Sequence, residues 1–151
     1  MVRHPPGVTQ GQPGQAEALT PERARLLLSA AGRVAVALAE QLDLAPTARV
    51  ATAEAVRHLG PLGPLALEQA LLRARARTKH PAGDRLWWTA EALEQSTSYV
   101  VAAHRAARFA GATRVLDLGC SVGGDLLELA RVAPVLGVDL DEARLLLARA
   151  N

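Results

Sequence analysis

The stretch VLDLGCSVGGDLLELARVAPVLGVDLDEARLLLARAN, residues 115–151, decides the fold. With the residue before it, RVLDLG (114–119) is a short apolar run, polar only at its ends, that runs into a glycine-rich turn. GDLLELARV (124–132) repeats apolar residues at helical spacing. PVLGVDL (134–140) is a second run with the pattern of a buried strand, and DEARLLLARA (141–150) is helical again. The order βαβα opens a parallel α/β sheet in which helices form the crossovers. Such sheets usually hold about five or more strands with both faces covered. Two strands and two helices do not close that core, so the sequence reads as the front of a longer protein.

Upstream the pattern is helical. Residues 1–19 hold Pro5, Pro6, Gly7, Gly11, Pro13 and Gly14 without periodicity, which predicts a disordered tail. Thr20-Pro21-Glu22 is a helix start, with Thr as the cap and Pro where its missing N–H costs nothing. Helices are expected at about 21–30, 33–43, 47–59 and 64–78, punctuated by Gly32 and by GPLGP at 60–64. In the last of them Leu67, Leu71 and Ala74 make an apolar stripe at i, i+4, i+7. After a loop around His80–Asp84, one long helix is expected from about 89 to 110, ending at Gly111. The organisation is therefore a tail (1–19), a helical domain (20–110) and the beginning of an α/β domain (111–151).

Composition removes several classes. Half of the residues are apolar and 21% are charged, which argues against wholesale disorder. No apolar run approaches the roughly 18 residues of a membrane span, and Arg33 breaks the longest candidate, 26–39. MVRHPPGVTQ has no apolar segment of the secretory kind. Cys120 is the single cysteine, so no internal disulfide forms, and a reducing cytoplasmic setting is expected. Net charge is +2, too small to argue for nucleic acid on its own. Lys79 is the only lysine, so the abundance of Arg and Ala reads as a coding bias. No His/Cys/acid set has metal-ligand spacing, and no metal is expected.

The glycine turn carries the chemistry. Gly119 and Gly123 let the backbone turn sharply and a ligand approach closely. The turn lies at the carboxyl end of a parallel strand, where open α/β sheets bind ligands. The helix start near Gly124 presents free N–H groups to a carboxylate. Asp139, twenty residues after Gly119, ends the second strand and is placed to accept hydrogen bonds from vicinal ribose hydroxyls.

These residues resemble motif I and the following acidic strand of class I S-adenosylmethionine-dependent methyltransferases. Asp117 matches the acid at the strand end, and Gly119 and Gly123 match the first and third glycines of G-x-G-x-G. Ser121 stands at the middle glycine, a departure, and Asp139 matches the acid of the second strand. The resemblance implies a Rossmann-like domain, S-adenosyl-L-methionine as cofactor and a donor site formed by Asp117, Gly119, Ser121, Gly123 and Asp139. In that family the acid at Asp117 faces the ammonium end of the donor. Trp87-Trp88-Thr89, Glu94-Gln95-Ser96-Thr97 and His104–Phe109 resemble the segment before motif I in bacterial methyltransferases with a THUMP-like domain. This second likeness implies RNA as the methyl acceptor and places catalytic residues beyond residue 151. It also makes Trp88, Thr89 and Gln95 candidate donor contacts, although packing is the simpler role for both tryptophans.

Other readings share these letters. A dinucleotide fingerprint G-x-G-x-x-G fits Gly119 and Gly124, but Ser121 replaces the glycine that admits a pyrophosphate. GCSVG (119–123) also spells a nucleophile elbow, yet only helices precede it and no His follows Ser121. A ligand-free turn would leave Asp139 as a helix cap. Cys120 reads as a small packing residue of the loop. The cluster Arg73, Arg75, Arg77, Lys79, His80 and Arg85 is compatible with RNA, but no Phe or Tyr is interleaved for stacking, and a solvated helix end explains it. A non-enzymatic helical interaction module with an incomplete α/β tail is the alternative of a different class.

Overall fold

A computed structural model describes residues 18–43, 45 and 48–151. The tail expected at 1–19 therefore lies, up to residue 17, outside the described residues. Four helices come first: α1 (Pro21–Leu28), α2 (Ala30–Ala39), α3 (Arg49–His58) and α4 (Leu62–Ala76). Two shorter ones follow, α5 (Ala90–Gln95) and α6 (Tyr99–Ala106), then a 3-10 turn at Ala107–Phe109. The chain continues as β1 (Val115–Leu118), α7 (Gly124–Leu129), β2 (Val135–Val138) and α8 (Glu142–Ala150), in the expected βαβα order. The strands pair in parallel, with Val115 opposite Val135 and Leu118 opposite Val138. No helix among the described residues is long and apolar enough to cross a membrane.

The start of α1 follows its sequence signal. Thr20 caps it by accepting from Arg23 N, and Pro21 opens the first turn. The break after α1 is at Ser29, not at Gly32. Ser29 is extended, its Oγ donates to Leu26 O at 2.7 Å and accepts from Gly32 N at 3.1 Å. Gly32 lies inside α2, and a Cβ there would stand 2.2 Å from Leu27 O. It is a close-approach residue, not a punctuation mark.

The apolar stripe of α4 also sits elsewhere than expected. Leu71 and Ala74 are exposed, and the buried face holds Leu65, Ala66, Gln69, Ala70, Leu72 and Ala76. This helix carries apolar residues all round, so periodicity alone did not pick the face. Its packing against α2 did.

The expected long helix at 89–110 is two helices. Ser96 and Ser98 are extended, and three hydroxyl residues in a row offer the backbone alternatives to helical bonding. Ser96 Oγ donates to Leu93 O, and Lys79 Nζ donates to the carbonyls of Glu94 and Ser96 at 3.0 and 3.1 Å. Tyr99 N donates to Lys79 O at 2.7 Å.

The strands are covered on one face only, where fully buried strands were expected. Leu116, Leu118, Leu136 and Val138 are 42–74% exposed, while Val115 packs with Ala106, Leu129 and Ala133. Residues alternate across a strand, so α6 and α7 cover only one set.

The main core joins the helical part to α8. It includes Leu27, Val36, Leu65, Leu72, Trp87, Trp88, Leu93, Val122, Ala143 and Leu147. Both tryptophans are buried, in the packing role. Trp88 Nε1 donates to Gly83 O, and the guanidinium groups of Arg33 and Arg73 lie 5.2 and 4.4 Å from the Trp87 ring centre. Ion pairs add to the seam: Arg25 with Glu142, and Arg144 with Glu91.

Candidate functional site

The loop between β1 and α7 is built from alternating left-handed residues. Gly119 (φ 85°), Ser121 (φ 51°) and Gly123 (φ 85°) all have positive φ. These are the three positions of the G-x-S-x-G stretch. Gly119 N and Cys120 N both donate to Val138 O, at 2.7 and 3.0 Å, which ties the loop to the tip of β2. Gly123 N donates to Cys120 O and opens α7. Ser121 is the only non-glycine with positive φ among the described residues, a conformation that costs a side chain about 1 kcal/mol. Asp139 offsets that cost. Its Oδ2 accepts from Ser121 N at 2.8 Å and its Oδ1 from Asp141 N at 2.9 Å. These N–H groups, Asp141 foremost, hold the Asp139 carboxyl below the usual range.

The loop forms one wall of a cleft of about 180 Å³. Asp117, Gly119 and Ser121 line it, and Gln95, Ser96 and Thr97 face them from the end of α5. The end of α5 and the start of the helix break thus supply another part of the lining. Gly123 and Asp139 do not line the cleft. A Cβ on Gly123 would meet Ala148 Cβ at 3.4 Å, on the side of α8. Asp139 holds the loop from β2, and each of its oxygens keeps a further lone pair. Gln95 is in the cleft, whereas Trp88 and Thr89 line a separate cavity beside α1, α4 and α8.

Sequence reasoning missed Asp125, which also lines the cleft. Its Oδ2 pairs with Arg105 Nη1 of α6 at 2.5 Å, and its Oδ1 is buried with no hydrogen-bond partner. It was hidden as an ordinary polar residue of a helix's first turn. Asp117 feels it: burial first, then the Asp125 charge, raise the Asp117 carboxyl above its usual range, and Arg105 opposes them. The cleft therefore holds two carboxylates, one of them paired with a guanidinium from α6. Gly137 was missed too. A Cβ there would lie 2.6 Å from Leu126 Cδ1 and 2.9 Å from Cys120 Sγ, so this glycine lets the loop and α7 settle on β2. A glycine inside a strand is the signal that could have found it.

Cys120 is buried, and desolvation with Asp117 and Asp139 pushes its thiol up, away from thiolate chemistry. Ser121 Oγ is buried without a hydrogen-bond partner, so no base holds its proton as an elbow nucleophile requires. The basic cluster is largely paired: Arg73 with Glu40 at 2.9 Å, Arg77 with Asp84 at 3.5 Å, Arg75 with Glu94 at 3.8 Å. Among the described residues no three metal-ligating side chains come together.

No family model matches the chain, and no solved structure matches it. Two curated proteins do, each named as an uncharacterized S-adenosylmethionine-dependent methyltransferase of Mycobacterium tuberculosis, from strains CDC 1551 / Oshkosh and ATCC 25618 / H37Rv. Each is 41% identical over 101 residues, which is 62% of this chain and 28% of the relative. The match thus takes in little more than a quarter of each relative's length. What this chain is similar to is one part of a protein named for methyl transfer.

Proposed function

We propose that this chain carries the donor-binding part of an S-adenosylmethionine-dependent methyltransferase. One observation carries the reading: a left-handed loop at the carboxyl end of β1 shares a cleft with the carboxylates of Asp117 and Asp125. A donor with an ammonium suits the Asp117 carboxylate, which among the described residues has no ion-pair partner in the cleft as Asp125 has in Arg105, whereas a dinucleotide would bring a pyrophosphate against it. The names of the relatives favour the same choice.

When bound, S-adenosylmethionine supplies an electrophilic methyl group. The residues of this chain bind and orient it. Gly119 and Ser121 keep the loop backbone open to the ligand. Asp117 receives the ammonium end, and Asp139 fixes the loop while its free lone pairs accept from ribose hydroxyls. Gly123 shapes the loop without touching the ligand. Methyl transfer belongs to the whole protein, for which the motif resemblance points to RNA as acceptor and to an additional THUMP-like domain. Calorimetric titration tests the reading. S-adenosylhomocysteine should bind and NAD should not; the reverse order of affinities would replace it with a dinucleotide site.

A further inference from the structure

We infer that Asn151 is a positioning residue for the glycine loop. Its side chain uses every polar atom on two distant segments. Nδ2 donates to Val122 O at 2.8 Å and to Trp87 O at 3.1 Å, and Oδ1 accepts from Trp87 N at 2.7 Å. Val122 stands between Ser121 and Gly123, the two left-handed residues at the helix end of the loop. Val122 and Trp87 are both buried residues, and their three bonds to the Asn151 amide are partly buried. Asn151 itself is anchored by α8, whose Ala143 and Leu147 lie in the main core. Trp87 is fixed independently by the arginines on its ring.

The arrangement is a three-way joint. It sets the loop against both the helical part and α8. A side-chain amide is the group this joint needs, because it must donate twice and accept once. A carboxylate in its place would face two carbonyls, and an aliphatic residue would leave three partly buried backbone groups without this partner. The loop geometry that Asn151 enforces is that of the proposed donor site, so its effect on donor affinity rests on that reading. Its effect on the loop does not.

The test is amide hydrogen exchange on the 151-residue chain with Asn151→Ala and Asn151→Asp. Exchange over 119–124 and 86–88 should speed up about tenfold or more in both, while α1 and α4 keep the wild-type rates. In the wild type, the side-chain amide protons of Asn151 should exchange slowly by NMR, a readout that does not depend on the variants folding. Affinity for S-adenosylhomocysteine should fall about tenfold or more, with unchanged far-UV circular dichroism. Unchanged exchange in the loop, an equal rise in every segment, or fast exchange of the Asn151 amide would overturn the inference. If the local exchange effect is seen but the wild type does not bind S-adenosylhomocysteine, the positioning role stands and the proposed function falls.

Discussion

Asp139 accepts the backbone N–H of Ser121 at 2.8 Å, so the acid at the tip of β2 holds the single strained non-glycine residue of the loop. The contact explains how a serine occupies a position that the motif gives to glycine. Ser121→Gly should then relieve the left-handed strain and keep the hydrogen bond, because the bond uses the backbone. We expect a stability change between zero and a gain of about 1 kcal/mol, measured by urea denaturation. A loss above about 1 kcal/mol would show that the side chain supports the loop.

Asp139→Ala removes the acceptor of two backbone N–H groups, at Ser121 and Asp141. Hydrogen bonds to a charged acceptor contribute about 1.5–3 kcal/mol each, and solvent access at the loop reduces the loss. A destabilisation of about 1–3 kcal/mol is expected at neutral pH. Equal unfolding midpoints for variant and wild type would contradict this role.

The two acids should give opposite pH signatures. The Asp139 carboxyl lies below its ordinary value of 3.8 in the fold, so its stabilisation is full above that pH and is lost as pH falls through the folded value. The Asp117 carboxyl lies above 3.8, so the native state binds its proton first and stability falls as pH rises through that window. Asp117→Asn should remove this second slope without destabilising the fold at neutral pH. Chemical denaturation at a series of pH values from about 3 to 7 measures both slopes.

Gly137→Ala should be costly, since the new methyl would meet Leu126 Cδ1 at 2.6 Å and Cys120 Sγ at 2.9 Å. Overpacking of this kind costs about 1–3 kcal/mol. Leu126→Ala in the same chain should recover part of it, and a double-mutant cycle reads the coupling. Simple additivity would place the clash elsewhere.

The order βαβα and the Thr20-Pro21 helix start were legible because they depend on local spacing and capping. So were the packing roles of Trp87 and Trp88 and the inert nature of Cys120. What escaped the sequence depends on distant partners. Lys79 draws the carbonyls of Glu94 and Ser96 and so helps to split a helix whose periodicity ran on. The buried face of α4 was chosen by α2. Asp125 acquires its meaning from Arg105, and Asn151 from Trp87, 64 residues away. Of the five residues expected at the site, Asp117, Gly119 and Ser121 line the cleft. Gly123 and Asp139 lie outside that lining, and Asp139 acts on the loop through the backbone N–H of Ser121.

The most direct test of the account is calorimetric titration of S-adenosylhomocysteine into the wild-type chain and into Asp117→Asn, with NAD as the competing ligand. The wild type should bind S-adenosylhomocysteine saturably, Asp117→Asn should weaken that binding about tenfold or more, and neither should bind NAD. Binding of NAD in preference, or affinity for S-adenosylhomocysteine that Asp117→Asn leaves unchanged, would contradict a donor site built on the carboxylates of this cleft.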